Sequence, residues 1–135
     1  MTTFFLDTSY VLALELSSEQ YHSAALNHWQ NLTKSDFKLV TTSYVFDEIV
    51  TFFNNRGRHD RAVELGNRLF GSIYIELIQV DETLFLEGWQ YFQQHSDKSY
   101  SLTDCISFVV MSKKGISTAL TLDRHFAQAG FQKLP

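Results

Sequence analysis

Two short apolar runs near opposite ends of the chain each stop at an aspartate. Phe4-Phe5-Leu6 runs into Asp7-Thr8-Ser9, and Thr118-Ala119-Leu120-Thr121-Leu122 runs into Asp123-Arg124-His125-Phe126. Each reads as an inner strand with an acid at its carboxyl end and a helix start just beyond. In an open α/β sheet, ligands bind outside those strand ends.

Strand and helix patterns alternate between these two runs. Strands are predicted over residues 4 to 7, 37 to 42, 72 to 80 and 118 to 122. A helix after Ser17-Ser18 has Tyr21, Ala25, Trp29 and Leu32 on one face, and a second spans Tyr44 to Phe53. A third begins at Asp60 with Ala62, Leu65 and Leu69 on one side, and a fourth is capped by Asp81 and carries Phe85, Trp89 and Phe92. After the polar stretch His95 to Tyr100 comes a helix that is apolar nearly all round. This alternation predicts an α/β fold, a three-layer α/β/α sandwich with a mainly parallel central sheet of about five strands. Right-handed crossovers then gather the carboxyl ends of the strands on one edge. At 135 residues, with 12 Phe and its single proline at the very end, the chain offers a packed core and no linker, so one domain over residues 1 to 135 is expected. It shows no internal repeat or low-complexity segment.

Two further acids ride on predicted helices. On the Tyr44 to Phe53 helix, Val45, Ile49, Phe52 and Phe53 form a core-facing stripe. At about 100° of turn per residue, Glu48 falls at the edge of that stripe while its neighbour Asp47 points away. Asp104 heads a line with Phe108 and Met111 on the last, apolar helix, whose one acid should face something polar. Taken singly, these acids have plainer readings. Asp7 and Asp123 read as N-caps, and Asp104 closes a capping box from Ser101. Glu48 reads as an edge residue that snorkels to solvent. The set weighs differently, because independent caps have no reason to recur at strand end, helix edge, helix start and strand end.

The order Leu6-Asp7-Thr8-Ser9, Ser43-Tyr44-Val45-Phe46-Asp47-Glu48, Ser101-Leu102-Thr103-Asp104-Cys105 and Thr121-Leu122-Asp123-Arg124-His125-Phe126 resembles the PIN domain, above all the small stand-alone proteins of the VapC toxin type. The resemblance spans essentially the whole chain, and it is the order and spacing of the pieces together that carry it. It implies a ribonuclease that hydrolyses RNA, paired with a small cognate antitoxin whose segment lies over the acidic groove, and usually a homodimer.

If the two aspartate-bearing strands are central neighbours, the four acids share one crevice. Crowded carboxylates resist ionising together. A divalent cation removes that penalty, and hard oxygen donors suit Mg²⁺ or Mn²⁺ over zinc. The expected site has Asp7, Asp104 and Asp123 as direct or water-mediated metal ligands, Glu48 orienting or deprotonating water, and Ser9 holding Asp7 or a bound water.

Charge pulls the other way: 11 Lys plus Arg stand against 15 Asp plus Glu, so the overall basic footprint of a nucleic-acid binder is missing. Arg56, Arg58, Arg61 and Arg68 cluster after the Glu48 helix, and Lys113 and Lys114 end the last long helix. Arg56 and Arg58 read first as a solvated turn, and Lys113-Lys114 as a contact with the helix dipole. Arg124, adjoining Asp123, is the basic residue expected to meet RNA phosphate.

Other chemistry finds less support. The lone Cys105 sits in an apolar helix as a small hydrophobe rather than a nucleophile. The five histidines (His22, His28, His59, His95, His125) lack zinc-type spacing and are assigned no metal. The amino-terminal apolar stretch stops too soon for a secretory signal or a membrane span, so a cytoplasmic protein without membrane association is expected. A haloacid-dehalogenase-type phosphatase needs a second Asp two places after the first, where this chain has Ser9. A receiver-like, Mg-binding signalling module needs an acidic pair after its first strand and a Lys near its last, and both are missing. A catalytically silent PIN-like protein that only binds RNA or a partner is a further alternative.

Overall fold

A computed structural model describes residues 1 to 135. Its elements run β1 (Thr2–Leu6), α1 (Thr8–Glu15), α2 (His22–Leu32), β2 (Phe37–Thr42), α3 (Ser43–Asn55), α4 (His59–Gly71), β3 (Ile75–Ile78), α5 (Glu82–Gln94), α6 (Leu102–Lys114), β4 (Thr118–Leu120), α7 (His125–Gln128) and β5 (Gln132–Leu134). The five strands form one sheet in the order β3-β2-β1-β4-β5, and every neighbouring pair is parallel. An α/β/α sandwich is therefore what the alternation produces, with the sheet wholly rather than mainly parallel.

Strand order decides where the site lies. From β1 the chain winds outward through β2 to β3, then crosses back to β4 on the other flank of β1. The carboxyl ends of β1 and β4 flank the point where the winding reverses, which is where open parallel sheets hold ligands. Phe5 pairs with Ala119 and Leu6 with Leu120. The Asp7 amide continues this ladder by donating to the Leu120 carbonyl at 3.1 Å. A receiver module of the doubly wound kind has the order 2-1-3-4-5, so the β3-β2-β1-β4-β5 order argues against that alternative.

The strands that flank the site are apolar because both sheet faces are covered. Phe5, Leu39, Val40, Ala119 and Leu120 are buried, with Ile106, Phe108 and Met111 of α6 and Phe126 of α7 packed in the same core. On α3, Val45, Ile49 and Phe53 are buried, Glu48 is half-buried and Asp47 is exposed, as the stripe predicts. Thr42 caps α3 by accepting from the Val45 amide, Asp81 caps α5 by accepting from Leu84, and Ser101 with Asp104 completes a capping box on α6.

Several boundaries shift for local reasons. The third strand spans Ile75–Ile78 rather than residues 72 to 80, because the Ser72 hydroxyl accepts from the Tyr74 amide in a turn that delays it. The fourth stops at Leu120: the Thr121 amide makes the last ladder bond, to the Leu134 carbonyl, and the Leu122 and Asp123 amides turn instead to the hydroxyls of Ser9 and Thr121. That carbonyl belongs to β5, a short edge strand whose Gln132-Lys133 sequence carries no strand signal. Among the aromatics, Tyr10 and Phe53 are buried, Trp29 and Phe52 half-buried, and Trp89 exposed. No helix is long and apolar enough to cross a membrane.

Candidate functional site

Asp7 is the first residue past β1 and has the extended backbone of an N-cap for α1, with φ −98° and ψ 155°, yet its carboxylate accepts no amide from that helix. Instead Oδ2 accepts from Ser9 Oγ at 2.8 Å and from Thr121 Oγ1 at 2.7 Å. The capping explanation for this residue fails. Both hydroxyl protons are spent on Oδ2, and no protein donor reaches Oδ1. Burial pushes the Asp7 carboxyl up to about 6, the two hydroxyl bonds oppose that rise, and nearby Asp104 and Asp123 add to it.

Thr121 and Ser9 join the two strand ends. Thr121, fully buried, also accepts from the Asp123 amide at 2.9 Å, and Ser9 Oγ accepts from the Leu122 amide at 2.9 Å. One pair of hydroxyls thus fixes Asp7 to the turn that carries Asp123. Ser9 is where the sequence places a supporting residue, whereas Thr121 reads only as a strand position.

Asp104 serves two roles at once. Its Oδ2 accepts from the Ser101 amide at 3.1 Å, which is the capping reading, and also lies 3.0 Å from His125 Nδ1. Its Oδ1 has no protein donor. Asp123 Oδ1 accepts from the His125 amide at 2.9 Å, and Oδ2 lies 3.4 Å from His125 Nδ1. Local caps and a shared cluster are therefore not exclusive, because each carboxylate has two oxygens. Burial raises the pKa of Asp104, and Asp123 raises it further; hydrogen bonds from His125 and Ser101 lower it.

Glu48 reaches in from α3, where its Oε1 accepts from Thr8 Oγ1 at 2.6 Å. Burial raises its carboxyl above the ordinary glutamate range, the Thr8 bond opposes the rise and Asp104 adds to it. Asp47, one residue away, is exposed and accepts from Thr51 on its own helix. Asp7, Glu48, Asp104 and Asp123 all line one pocket of about 310 Å³, together with Thr8, Ser9, Ser99, Ser101 and His125.

The donor set fits a hard divalent cation. Asp7, Glu48 and Asp104 are each held above their ordinary range by burial together with a neighbouring acid, and a cation would relieve that. Among histidines, His125 alone joins the acids: donor atoms of Asp104, Asp123 and His125 lie within 4.8 Å of one another. Zinc-type spacing does not single it out, because spacing rules detect pairs on one element and this contact is made across two. The available signal was its place two residues past Asp123, in the first turn beyond the strand end.

Basic residues are distributed differently from the sequence cluster. Arg61 and Arg68 are tied to Glu15 and Glu64, Lys113 to Glu87 and Lys114 to Glu76. Arg56 lies over the Phe52 ring at 3.6 Å, and Arg58 pairs with Asp60 at 3.5 Å. Arg124 is exposed beside the pocket residue Asp123 and makes no ion pair. Burial pushes the Cys105 thiol up to about 11, which suits a core residue.

Comparison with known proteins bears on the family and the fold. The PIN domain family model matches residues 4 to 132. The 23S rRNA-specific endonuclease VapC20 of Mycobacterium tuberculosis is 33% identical over 128 residues, covering 94% of this chain and 94% of the relative. A crystal structure of VapC20 from that organism, described as a sarcin–ricin loop cleaving toxin, superposes with a TM-score of 0.84 at 30% identity over 95% of each chain. FitAcB from Neisseria gonorrhoeae shares the fold at a TM-score of 0.67 and 16% identity, covering 98% of this chain and 96% of that one. With a family model that spans residues 4 to 132 and a relative 33% identical over 94% of its length, the chain belongs to the PIN domain family and is VapC20-like within it.

Proposed function

We propose that the protein is a metal-dependent endoribonuclease, the toxin of a type II toxin–antitoxin pair, acting in the cytoplasm. The observation that carries this reading is the convergence of Asp7, Glu48, Asp104 and Asp123 on one pocket at the reversal point of the sheet. Asp7, Asp104 and Asp123 would hold Mg²⁺ or Mn²⁺, directly or through water. Such an ion, when bound, neutralises a phosphodiester and lowers the pKa of an attacking water.

The chain's own residues supply the remainder. Ser9 and Thr121 fix Asp7 through Oδ2 and leave Oδ1 free for the pocket. Glu48 orients the attacking water and takes its proton, and a carboxyl raised by burial is better matched to that task near neutral pH. The water's oxygen joins phosphorus as the bond to the 3′ oxygen breaks, and the departing 3′ oxygen takes a proton from solvent, so the products are a 5′-phosphate and a 3′-hydroxyl. Arg124, unpaired and exposed, meets a flanking phosphate.

The VapC20 relative is an endonuclease specific for 23S rRNA, which makes ribosomal RNA the first substrate to test. A cognate antitoxin covering the acidic pocket and a homodimer complete the proposal. Solved relatives of the same fold include VapBC2 from Rickettsia felis bound to a DNA fragment from its promoter, at a TM-score of 0.67 and 14% identity. On this chain α5 presents Phe85, Leu86, Trp89 and Phe92 to solvent, which supports a protein contact there.

The test is cleavage of ribosomal RNA by wild type, Asp7→Asn and Asp104→Asn in Mg²⁺, Mn²⁺ and EDTA. Each substitution is expected to lower the rate by about 10²-fold or more, since a lost ligand charge removes metal affinity and transition-state stabilisation together. Cleavage that survives chelation discards the mechanism, and a wild type that binds RNA without cutting it favours the catalytically silent alternative.

A further inference from the structure

We propose that His125 is a nitrogen ligand of the cation site and that it biases the site toward Mn²⁺ over Mg²⁺. The inference rests on the metal reading above and concerns which side chains and which ion complete it. Four of the five histidines are committed elsewhere: His22 to the Ala13 carbonyl, His28 to the Tyr10 hydroxyl, His59 to Asn54 and His95 to the Tyr91 carbonyl. His125 alone meets the acids, with Nδ1 at 3.0 Å from Asp104 Oδ2 and 3.4 Å from Asp123 Oδ2.

Those separations, short enough for an N–H···O bond, also suit a shared ion. Donors held at about 2.0–2.2 Å from one cation lie roughly 3 Å apart across an octahedral edge and about 4 Å apart across its diagonal. The histidine nitrogen and the two carboxylate oxygens, all within 4.8 Å of one another, therefore need only small adjustments to face a common centre. The ring is also held in place. It packs edge-on against Tyr100, with centroids 5.4 Å apart and planes at 77°, and Nε2 lies 3.3 Å from Ser99 Oγ. A ligating imidazole gives its second N–H to a neighbouring acceptor, and Ser99 provides one. Ion binding would displace the proton that Nδ1 otherwise gives to Asp104, and with hydrogen on Nε2 the Nδ1 lone pair would face the position between Asp104 and Asp123.

The backbone contributes as well. The His125 amide occupies Asp123 Oδ1, and Oδ2 is the oxygen nearer the ring nitrogen. Phe126, fully buried, anchors the turn that sets both residues. Ion preference follows from donor type: both ions favour oxygen, but Mg²⁺ holds almost only oxygen and water, whereas Mn²⁺, at the start of the first-row affinity series, gives up a water for an imidazole nitrogen more readily.

Calorimetric titration of purified wild type, His125→Ala and His125→Gln with MgCl₂ and MnCl₂ tests this, together with pulsed electron paramagnetic resonance of the Mn²⁺-loaded proteins. Wild type should show coupling of the Mn²⁺ spin to a ring nitrogen. Both variants should lose it, with Mn²⁺ affinity falling about tenfold or more and Mg²⁺ affinity changing much less. A wild-type spectrum without nitrogen coupling overturns the proposal even if both variants fail to fold, as does an equal fall in affinity for the two ions. If wild type binds neither ion, the metal reading itself fails and this inference falls with it.

Discussion

Asp7 shows how a single residue can look like a helix cap and serve as something else. Its backbone has the cap's conformation, but its carboxylate is spent on Ser9 and Thr121, a side-chain choice that no spacing rule encodes. Because burial raises this carboxyl to about 6 from an ordinary value of 3.8, the metal-free fold binds a proton more tightly than the unfolded chain does. Between those two values the folded state holds more protons, so this group's contribution to stability falls as pH rises through that window and stays low above it. In EDTA, wild type should therefore lose stability between about pH 4 and 6, a loss that Glu48 and Asp104 deepen because they shift the same way. Asp7→Asn should be more stable than wild type at pH 7.5 in EDTA, by about 1–3 kcal/mol, and should lose the added stability that Mg²⁺ gives wild type. Thermal melts across pH, with and without Mg²⁺, check this; a variant less stable than wild type in EDTA would contradict it. Thr121→Val removes the donor to Asp7 and the acceptor for the Asp123 amide, and should destabilise the fold by about 1–3 kcal/mol. Denaturant unfolding measures that loss.

At the scale of elements, α6 carries the site's most demanding placement. Its Asp104 must sit at the pocket while Cys105, Ile106, Phe108 and Met111 are buried around it. The helix starts at the Ser101–Asp104 capping box and ends at Gly115, whose φ of +67° only glycine adopts at little cost. Against it lies α5 at Gly88, where an added Cβ would overlap Ile106 Cγ1, and such a close approach leaves α6 little room to shift. Gly88→Ala should destabilise the protein by about 1–3 kcal/mol, helix propensity notwithstanding. It should also weaken metal binding by displacing α6, and paired denaturant curves and Mn²⁺ titrations report both. An unchanged midpoint would mean that Ile106 repacks freely. The sequence exposed this element well, since its apolar girth and its single acid are both visible in one helix. By contrast β5 escaped notice, because Gln132-Lys133-Leu134 is a short edge strand held by the sheet rather than by its own pattern.

On the scale of the molecule, a strand order of β3-β2-β1-β4-β5 turns positions 7 and 123 into neighbours. Sequence could state the condition, that the two aspartate-bearing strands lie side by side, but not fulfil it, because pairing is a choice among distant partners. Sequence periodicity separated Glu48 from Asp47, and the buried and exposed faces of α3 follow that division. His125 and Thr121 stayed hidden because their roles arise only across elements, from α7 to α6 and from the end of β4 to the end of β1. The same topology explains how a chain with a formal net charge of −4 can be proposed to act on RNA: its acids are gathered where one cation would offset them, and Arg124 stands unpaired beside them. Arg124→Ala should therefore weaken RNA binding several-fold while leaving Mn²⁺ affinity unchanged, which filter binding and calorimetry measure separately. Anomalous diffraction from crystals grown with Mn²⁺ tests the central claim most directly. A peak bounded by Asp7, Asp104 and Asp123 is the predicted result. Carboxylates that keep only their local amide and hydroxyl partners, with no peak between them at saturating Mn²⁺, would contradict it.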